Sequence, residues 1–229
     1  MRLIFVRHGE PDYEHDCLTE RGRRQAAAAA ERLAEEGITE IYASPNGRAQ
    51  ETASFTAKRL NLPVVTLDYM HEISWGGPGI PENGHPWTLS QRMIEQDDFD
   101  FYRQNWREHS YFAGNAAVRY YDMIAGKIDA FLDARGYRHA GSRFFCRDGA
   151  DRTIALFSHG GSGACALAHI LHLPFPYVAT VLPYDFTSVI IVELPARMGE
   201  YVRARLELFN DVAHIRGLSG GIVFQEEPD

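Results

Sequence analysis

The sequence predicts an α/β protein: a three-layer sandwich with a mostly parallel central sheet, helices on both faces and a helical cap insertion. Three observations lead there. Short continuous apolar runs, such as Leu3, Ile4, Phe5 and Val6, read as buried strands. Capped helical stretches alternate with them. A Gly/Pro-rich and then acidic, aromatic stretch breaks the alternation once, near residues 77–141. At 229 residues the chain fits a single domain, 1–229, that carries this stretch as a substrate-selecting loop and cap insertion.

The elements follow in order. The strand at 3–6 ends in Arg7-His8-Gly9-Glu10, where the glycine permits a sharp turn and a close approach to a ligand. Thr19 enters a helix over about 20–36, supported by the alanines at 26–30 and stopped at Gly37. A second strand at 38–43 leads to Ser44 as N-cap and Pro45 at the first helical position, with a helix to about Leu60 that carries Arg48 in its first turn. A third strand covers 63–67, and the glycines and prolines of 68–84 form a loop. The segment at 86–106 is acidic and aromatic, and its acidic residues read as a solvated face rather than a metal site. A helix at 116–134 follows, with apolar positions Val118, Tyr121, Ile124, Ile128, Phe131 and Leu132.

Strands at 143–146 and 153–157 are joined by Arg147-Asp148-Gly149-Ala150, where Asp-Gly signals a hairpin turn. The second of them ends in Ser158-His159-Gly160-Gly161 before a helix over 162–171, repeating the opening pattern of strand, histidine, glycine. Closing strands at 188–194 and 202–208 complete the sheet, and the tail from Gly217 is peripheral.

Composition narrows the function. A hydrophobic content of 45% with 24% charged residues is that of a globular protein, and the net charge of −8 disfavours nucleic acid or an anionic membrane as partner. The apolar start is too short for a signal peptide and no run reaches membrane-spanning length, so a cytoplasmic location is expected. Cys17, Cys146 and Cys165, odd in number and far apart, suit reduced thiols.

Two histidines at strand ends, about 150 residues apart, can meet at one sheet edge, where α/β proteins bind ligands. With Arg7, Arg48 and Glu72 they make a phosphate site. The chain resembles the histidine phosphatase superfamily, in its phosphoglycerate mutase-like branch. The resemblance rests on Arg7-His8-Gly9-Glu10, Leu18-Thr19 with Gly22 and Gln25-Ala26, Ser44-Pro45 with Arg48-Ala49 and Glu51-Thr52-Ala53, Glu72 with Trp75-Gly76, and Ser158-His159-Gly160.

This resemblance implies a phosphoglycerate mutase-like fold and hydrolysis of a small-molecule phosphomonoester through a phosphohistidine on His8. It makes Arg7, Arg48, His159 and Gly160 the phosphate-binding residues and Glu72 the general acid and base, with no metal and no cofactor. The neighbouring Arg7, Arg48 and His159 would keep the His8 nucleophile unprotonated. Asp68 and Glu82 rival Glu72, and His71 and His85 flank its loop. Trp75, Trp87, Phe99, Tyr102 and Trp106 read as cap packing, some of them facing the pocket.

Mutases of the family have a longer segment before the Leu-Thr helix entry and an asparagine on phosphate. Glu14 takes that spacing here, and only nine residues separate His8 from Leu18, which favours hydrolysis. A phosphoglycerate mutase-type phosphotransferase is the alternative, and a non-catalytic phospho-ligand-binding protein is the alternative of another class. A cysteine phosphatase built on Cys146 and Arg152 is disfavoured because a strand follows that loop, where a helix N-terminus is needed to activate the thiol. A zinc hydrolase is disfavoured because Arg7 and Arg48 would repel the ion.

Overall fold

The computed structural model describes residues 1–76, 100–101 and 105–218. Its first strand, β1 (Arg2–Arg7), is buried at every position after Arg2, because apolar layers cover both of its faces. A two-residue ladder, β2 (Pro11–Asp12) with β3 (Cys17–Leu18), leads into α1 (Glu20–Leu33). The Thr19 hydroxyl caps that helix by accepting from the Gly22 N–H at 3.0 Å, and the helix ends at Leu33, short of the expected residue 36. β4 (Glu40–Ala43), α2 (Gly47–Leu60) and β5 (Val64–Thr66) follow.

Beyond the loop come α3 (Ala116–Asp133), β6 (Tyr137–Ala140), β7 (Arg143–Cys146), β8 (Thr153–Ser158) and α4 (Gly160–Leu171). The chain closes with α5 (Phe175–Val181), β9 (Val189–Glu193), β10 (Tyr201–Val202) and β11 (Arg205–Asp211). The expected features at Glu82, His85, Trp87, Phe99 and Tyr102, and the tail from 219, lie outside the described residues.

The main sheet runs β11-β9-β1-β8-β4-β5. The pairs β1–β8, β8–β4 and β4–β5 are parallel, whereas β9 joins β1 and β11 antiparallel. Alternate residues of each strand feed two cores. Leu3, Phe5, Ile154, Leu156, Ile190 and Val192 pack with α3, α4 and α5 on one face. Ile4, Val6, Ala155, Phe157, Val189 and Ile191 pack with Leu33 of α1 and Ala53 and Ala57 of α2 on the other. These are the three predicted layers. The helix of the expected insertion, α3, belongs to the first layer, with Ile124, Ile128 and Leu132 in its core.

Three readings change. The strands at 143–146 and 153–157 do not form a hairpin: β7 pairs with β6 and β10 in a separate three-stranded sheet, whereas β8 enters the central one. The Asp-Gly turn is present, with Gly149 at φ +62, but it connects two sheets. The closing strand at 202–208 is two strands, β10 and β11, one for each sheet. Finally, α2 starts later than expected, at Gly47, with Asn46 as an N-cap whose side chain makes no capping bond.

Candidate active site

β1 and β8 are parallel neighbours with Arg7 opposite Ser158, so the two histidines that follow them emerge side by side. The His8 N–H donates to the Ser158 carbonyl at 3.0 Å, and the imidazole centroids lie 5.1 Å apart. The helix after β1 packs on one face of the sheet and the helix after β8 on the other. That reversal opens a crevice at the carboxyl ends of the two strands, where α/β sheets take their ligands.

Gly9 follows His8 for a reason other than a turn. A Cβ there would meet the Gly22 carbonyl oxygen at 2.6 Å, so the glycine lets the chain leaving β1 cross against α1. Its N–H donates to Thr52 Oγ1 at 3.0 Å. Its carbonyl lies 2.7 Å from His8 Nδ1, which puts the imidazole proton on Nδ1 and the lone pair on Nε2. Arg48 Nε points at that lone pair from 3.4 Å. Burial, then the Arg7 charge and the neighbouring His159, hold His8 well below its ordinary pKa. The result is a neutral ring with its lone pair on Nε2.

His159 is turned the other way. Ser44 Oγ accepts from the Asn46 N–H at 3.2 Å and lies 2.7 Å from His159 Nε2. The Ser44 hydroxyl also has Asn46 Oδ1 as an acceptor at 3.2 Å, but His159 Nε2 is the nearer; with the hydroxyl donating to the ring, the ring proton belongs on Nδ1, a buried nitrogen with no partner among the described residues. Burial, then Arg48 and Arg7, push the His159 pKa far down. The uncharged ring therefore presents one N–H donor.

Arg7 is buried beneath Phe186, with its guanidinium carbon 4.4 Å from the ring centroid, and donates to the Tyr184 carbonyl at 2.6 Å. Its Nε has no partner among the described residues. Arg48 pairs with Asp16, whose other carboxylate oxygen accepts from the Gly47 N–H at 2.7 Å. Burial pushes the Asp16 carboxyl up, but these donors outweigh it and hold the pKa below its ordinary value. Asp16 thus supplies the anion at the start of α2 that the expected Ser44 cap does not.

Glu72 reaches the first turn of α4. Its Oε1 accepts from the N–H groups of Ile73, Gly161 and Ser162 at 2.9, 3.1 and 3.1 Å. A Cβ on Gly161 would lie 2.6 Å from that oxygen, so glycine there is what admits the carboxylate. Burial raises the Glu72 pKa in spite of these bonds and of Arg7. A carboxyl kept protonated to higher pH suits a proton donor.

The structure therefore brings Arg7, His8, Arg48, Glu72 and His159 together, with Gly160 opening α4 beside His159. The first N–H groups inside that helix, from Gly161 and Ser162, serve Glu72. Asp68 is exposed on a short 3₁₀ turn. Glu14 is exposed in the turn between β2 and β3. His71 donates from Nδ1 to the Glu72 carbonyl at 2.9 Å. Trp75 and Trp106 are buried edge-on against Phe112 and pack the core. Cys146 is buried within β7.

Sequence reasoning missed Asp16, Ser44 as a histidine partner, Thr52, Tyr184 and Phe186. Ser44 and Thr52 stood in quoted motifs, so proximity to Arg48 was an available signal. Tyr184 and Phe186 come from the loop before β9, which no motif marked. Glu10, without chemistry in the sequence reading, accepts from the Thr19 hydroxyl at 2.8 Å and pins the helix entry.

Comparison with known proteins agrees with this arrangement. The family model of the histidine phosphatase superfamily (branch 1) matches residues 3–206. The chain is 29% identical over 231 residues to a glucosyl-3-phosphoglycerate phosphatase of Mycobacterium tuberculosis (strain ATCC 25618 / H37Rv), covering 93% of this chain and 96% of that protein. It is 28% identical over 188 residues to a probable phosphoglycerate mutase of Yersinia pestis (strain Pestoides F), covering 76% of each. Among solved structures, a mycobacterial glucosyl-3-phosphoglycerate phosphatase aligns over 91% of this chain and 98% of its own, with a TM-score of 0.62 and 27% identity. A phosphoserine phosphatase of Entamoeba histolytica, 19% identical with a TM-score of 0.62 over 93% and 98%, shares the fold. The chain belongs to the histidine phosphatase superfamily, branch 1.

Proposed function

We propose that the protein hydrolyses small phosphomonoesters through a phosphohistidine on Nε2 of His8. The observation that carries this reading is the bond from His8 Nδ1–H to the Gly9 carbonyl, which leaves Nε2 as a lone pair in a cationic crevice. Nε2 attacks phosphorus in line, a P–N bond forms and the P–O bond to the leaving group breaks. Glu72 gives its proton to the departing oxygen. A water then attacks phosphorus, the Glu72 carboxylate takes the water's proton, and the P–N bond breaks to release inorganic phosphate. Arg7, Arg48 and His159 Nδ1–H hold the equatorial phosphoryl oxygens, where transition-state charge collects.

The names of its relatives recommend glucosyl-3-phosphoglycerate, 3-phosphoglycerate and phosphoserine as the first substrates to try. Among the described residues no helix is long and apolar enough to cross a membrane. All three cysteines are free, which supports our assignment to the reducing cytoplasm. Phosphate release should be measured on a panel of phosphomonoesters with the wild-type chain and His8→Ala. Turnover by the first and none by the second is expected. Turnover retained in the variant would contradict the mechanism, and transfer to an acceptor in preference to water would make the protein a mutase.

A further inference from the structure

A second cluster of titratable groups gathers at the opposite end of α4. Asp129 of α3, His139 of β6 and His169 in the last turn of α4 each offer a ligand atom, and these atoms all lie within 4.8 Å of one another. His169 lies nine residues beyond Gly160, about 13 Å along the helix axis from the phosphate crevice. Asp129 Oδ1 is 2.7 Å from His169 Nε2, and Oδ2 is 3.1 Å from His139 Nδ1. Two imidazoles thus face the two oxygens of one carboxylate.

The rings are held in that attitude by their surroundings. His139 stacks on Phe144, with centroids 5.1 Å apart and planes 24° off parallel, and meets His169 edge-on at 4.9 Å. His172, which ends α4 in the left-handed conformation at φ +56, places its Nε2 3.0 Å from the outer nitrogen of His139. A residue without glycine's freedom at that φ is uncommon. All three ligand residues are partly exposed, so an ion can reach them from solvent.

We propose that Asp129, His139 and His169 form a second site, for a divalent transition metal of the zinc type. Two histidine nitrogens and a carboxylate with room for water are a ligand set such ions favour, and hard cations such as magnesium prefer oxygen. Tetrahedral ligation at 2.0–2.1 Å spaces ligand atoms roughly 3.3 Å apart. The Asp129–His169 contact would open by about 0.6 Å from 2.7 Å, and ligand atoms as far as 4.8 Å apart would close by up to about 1.5 Å. On ligation the metal replaces the proton that each imidazole donates to Asp129. His139 then carries its proton on Nε2, and His172, whose Nε2 donates to the Gly141 carbonyl at 3.0 Å, must shift its own proton to Nδ1 and give up that bond to accept it. The ion would tie α3, β6 and α4 together, away from the phosphate chemistry.

The test is titration of the chelator-stripped full chain with Co(II), read by visible absorption, followed by displacement with Zn(II). One equivalent of tetrahedral or five-coordinate Co(II) signal is expected, lost in Asp129→Ala and in His169→Ala and retained in His8→Ala. Zn(II) should raise the melting temperature of the wild-type chain. A footprint needs no variant to fold: Zn(II) should protect His139 and His169 from diethyl pyrocarbonate. No signal in the wild type, a signal kept by either cluster variant, a signal abolished by His8→Ala, or labelling of both histidines unchanged by Zn(II) would overturn the proposal.

Discussion

The two strand-histidine-glycine junctions are near repeats in sequence and opposites in structure. After β1, the chain turns so that the Gly9 carbonyl holds Nδ1 of His8 and the lone pair on Nε2 is presented. After β8, the chain runs straight into α4, and Ser44 from beyond β4 holds Nε2 of His159, leaving Nδ1 as the presented atom. In the mechanism proposed above, one ring attacks and the other donates. The difference comes from what grips the back of each ring, since both are buried and both are kept neutral by burial and the same arginines.

Removing each ring in turn is the most direct way to break this comparison. His8→Ala removes the attacking atom and should cost on the order of 10⁴–10⁶-fold in kcat. Glu72→Gln, which removes the proton carrier common to both steps, should cost about 10²–10⁴-fold with an alkyl phosphate. Its loss should be smaller in single-turnover phosphorylation by p-nitrophenyl phosphate, whose leaving group needs no proton. His159→Ala removes one donor to the phosphoryl oxygens and should cost about 10²–10³-fold while still allowing His8 to be phosphorylated. Ser44→Ala releases the tautomer of His159 and should cost about tenfold, the equivalent of one hydrogen bond.

The pH profile sharpens the same contrast. His8 must be unprotonated, and its pKa is held well below 6.5, so kcat/KM should fall on the acid side only well below that pH. Glu72 must be protonated for the first step, and its pKa is raised above 4.5, so activity with an alkyl phosphate should fall as pH rises through that raised value. Glu72→Gln should abolish the alkaline limb and keep the acid one. An unchanged alkaline limb in that variant would assign the proton donor elsewhere.

Much of this was legible locally. The apolar runs of β1 and β8 named themselves as buried strands, Thr19 announced the start of α1, and the arginines and histidines lay at strand or helix ends. Chemistry that depends on distant chain was hidden. Asp16 reaches Arg48 and Gly47 across thirty-odd residues, and Tyr184 and Phe186 meet Arg7 across about 180, without any periodicity to mark them. Ser44 read as a helix cap because a serine before proline is a good local cap. Its tertiary bond to His159 won, and Asp16 took over the helix end. The Asp-Gly turn at 148–149 was visible, yet β7 pairs with β6 just before it and with β10, more than fifty residues on, and the pairing at that longer range leaves no trace in a turn.

The central claim is that phosphate passes through Nε2 of His8, and rapid quenching tests it most directly. During turnover of a substrate labelled with ³²P, base quench followed by proteolysis and mass spectrometry should recover an acid-labile phosphate on the peptide containing His8, attached through Nε2 and absent from His8→Ala. Label on the His159 peptide, or full-rate turnover with no phosphoenzyme and with direct transfer to water, would contradict the account.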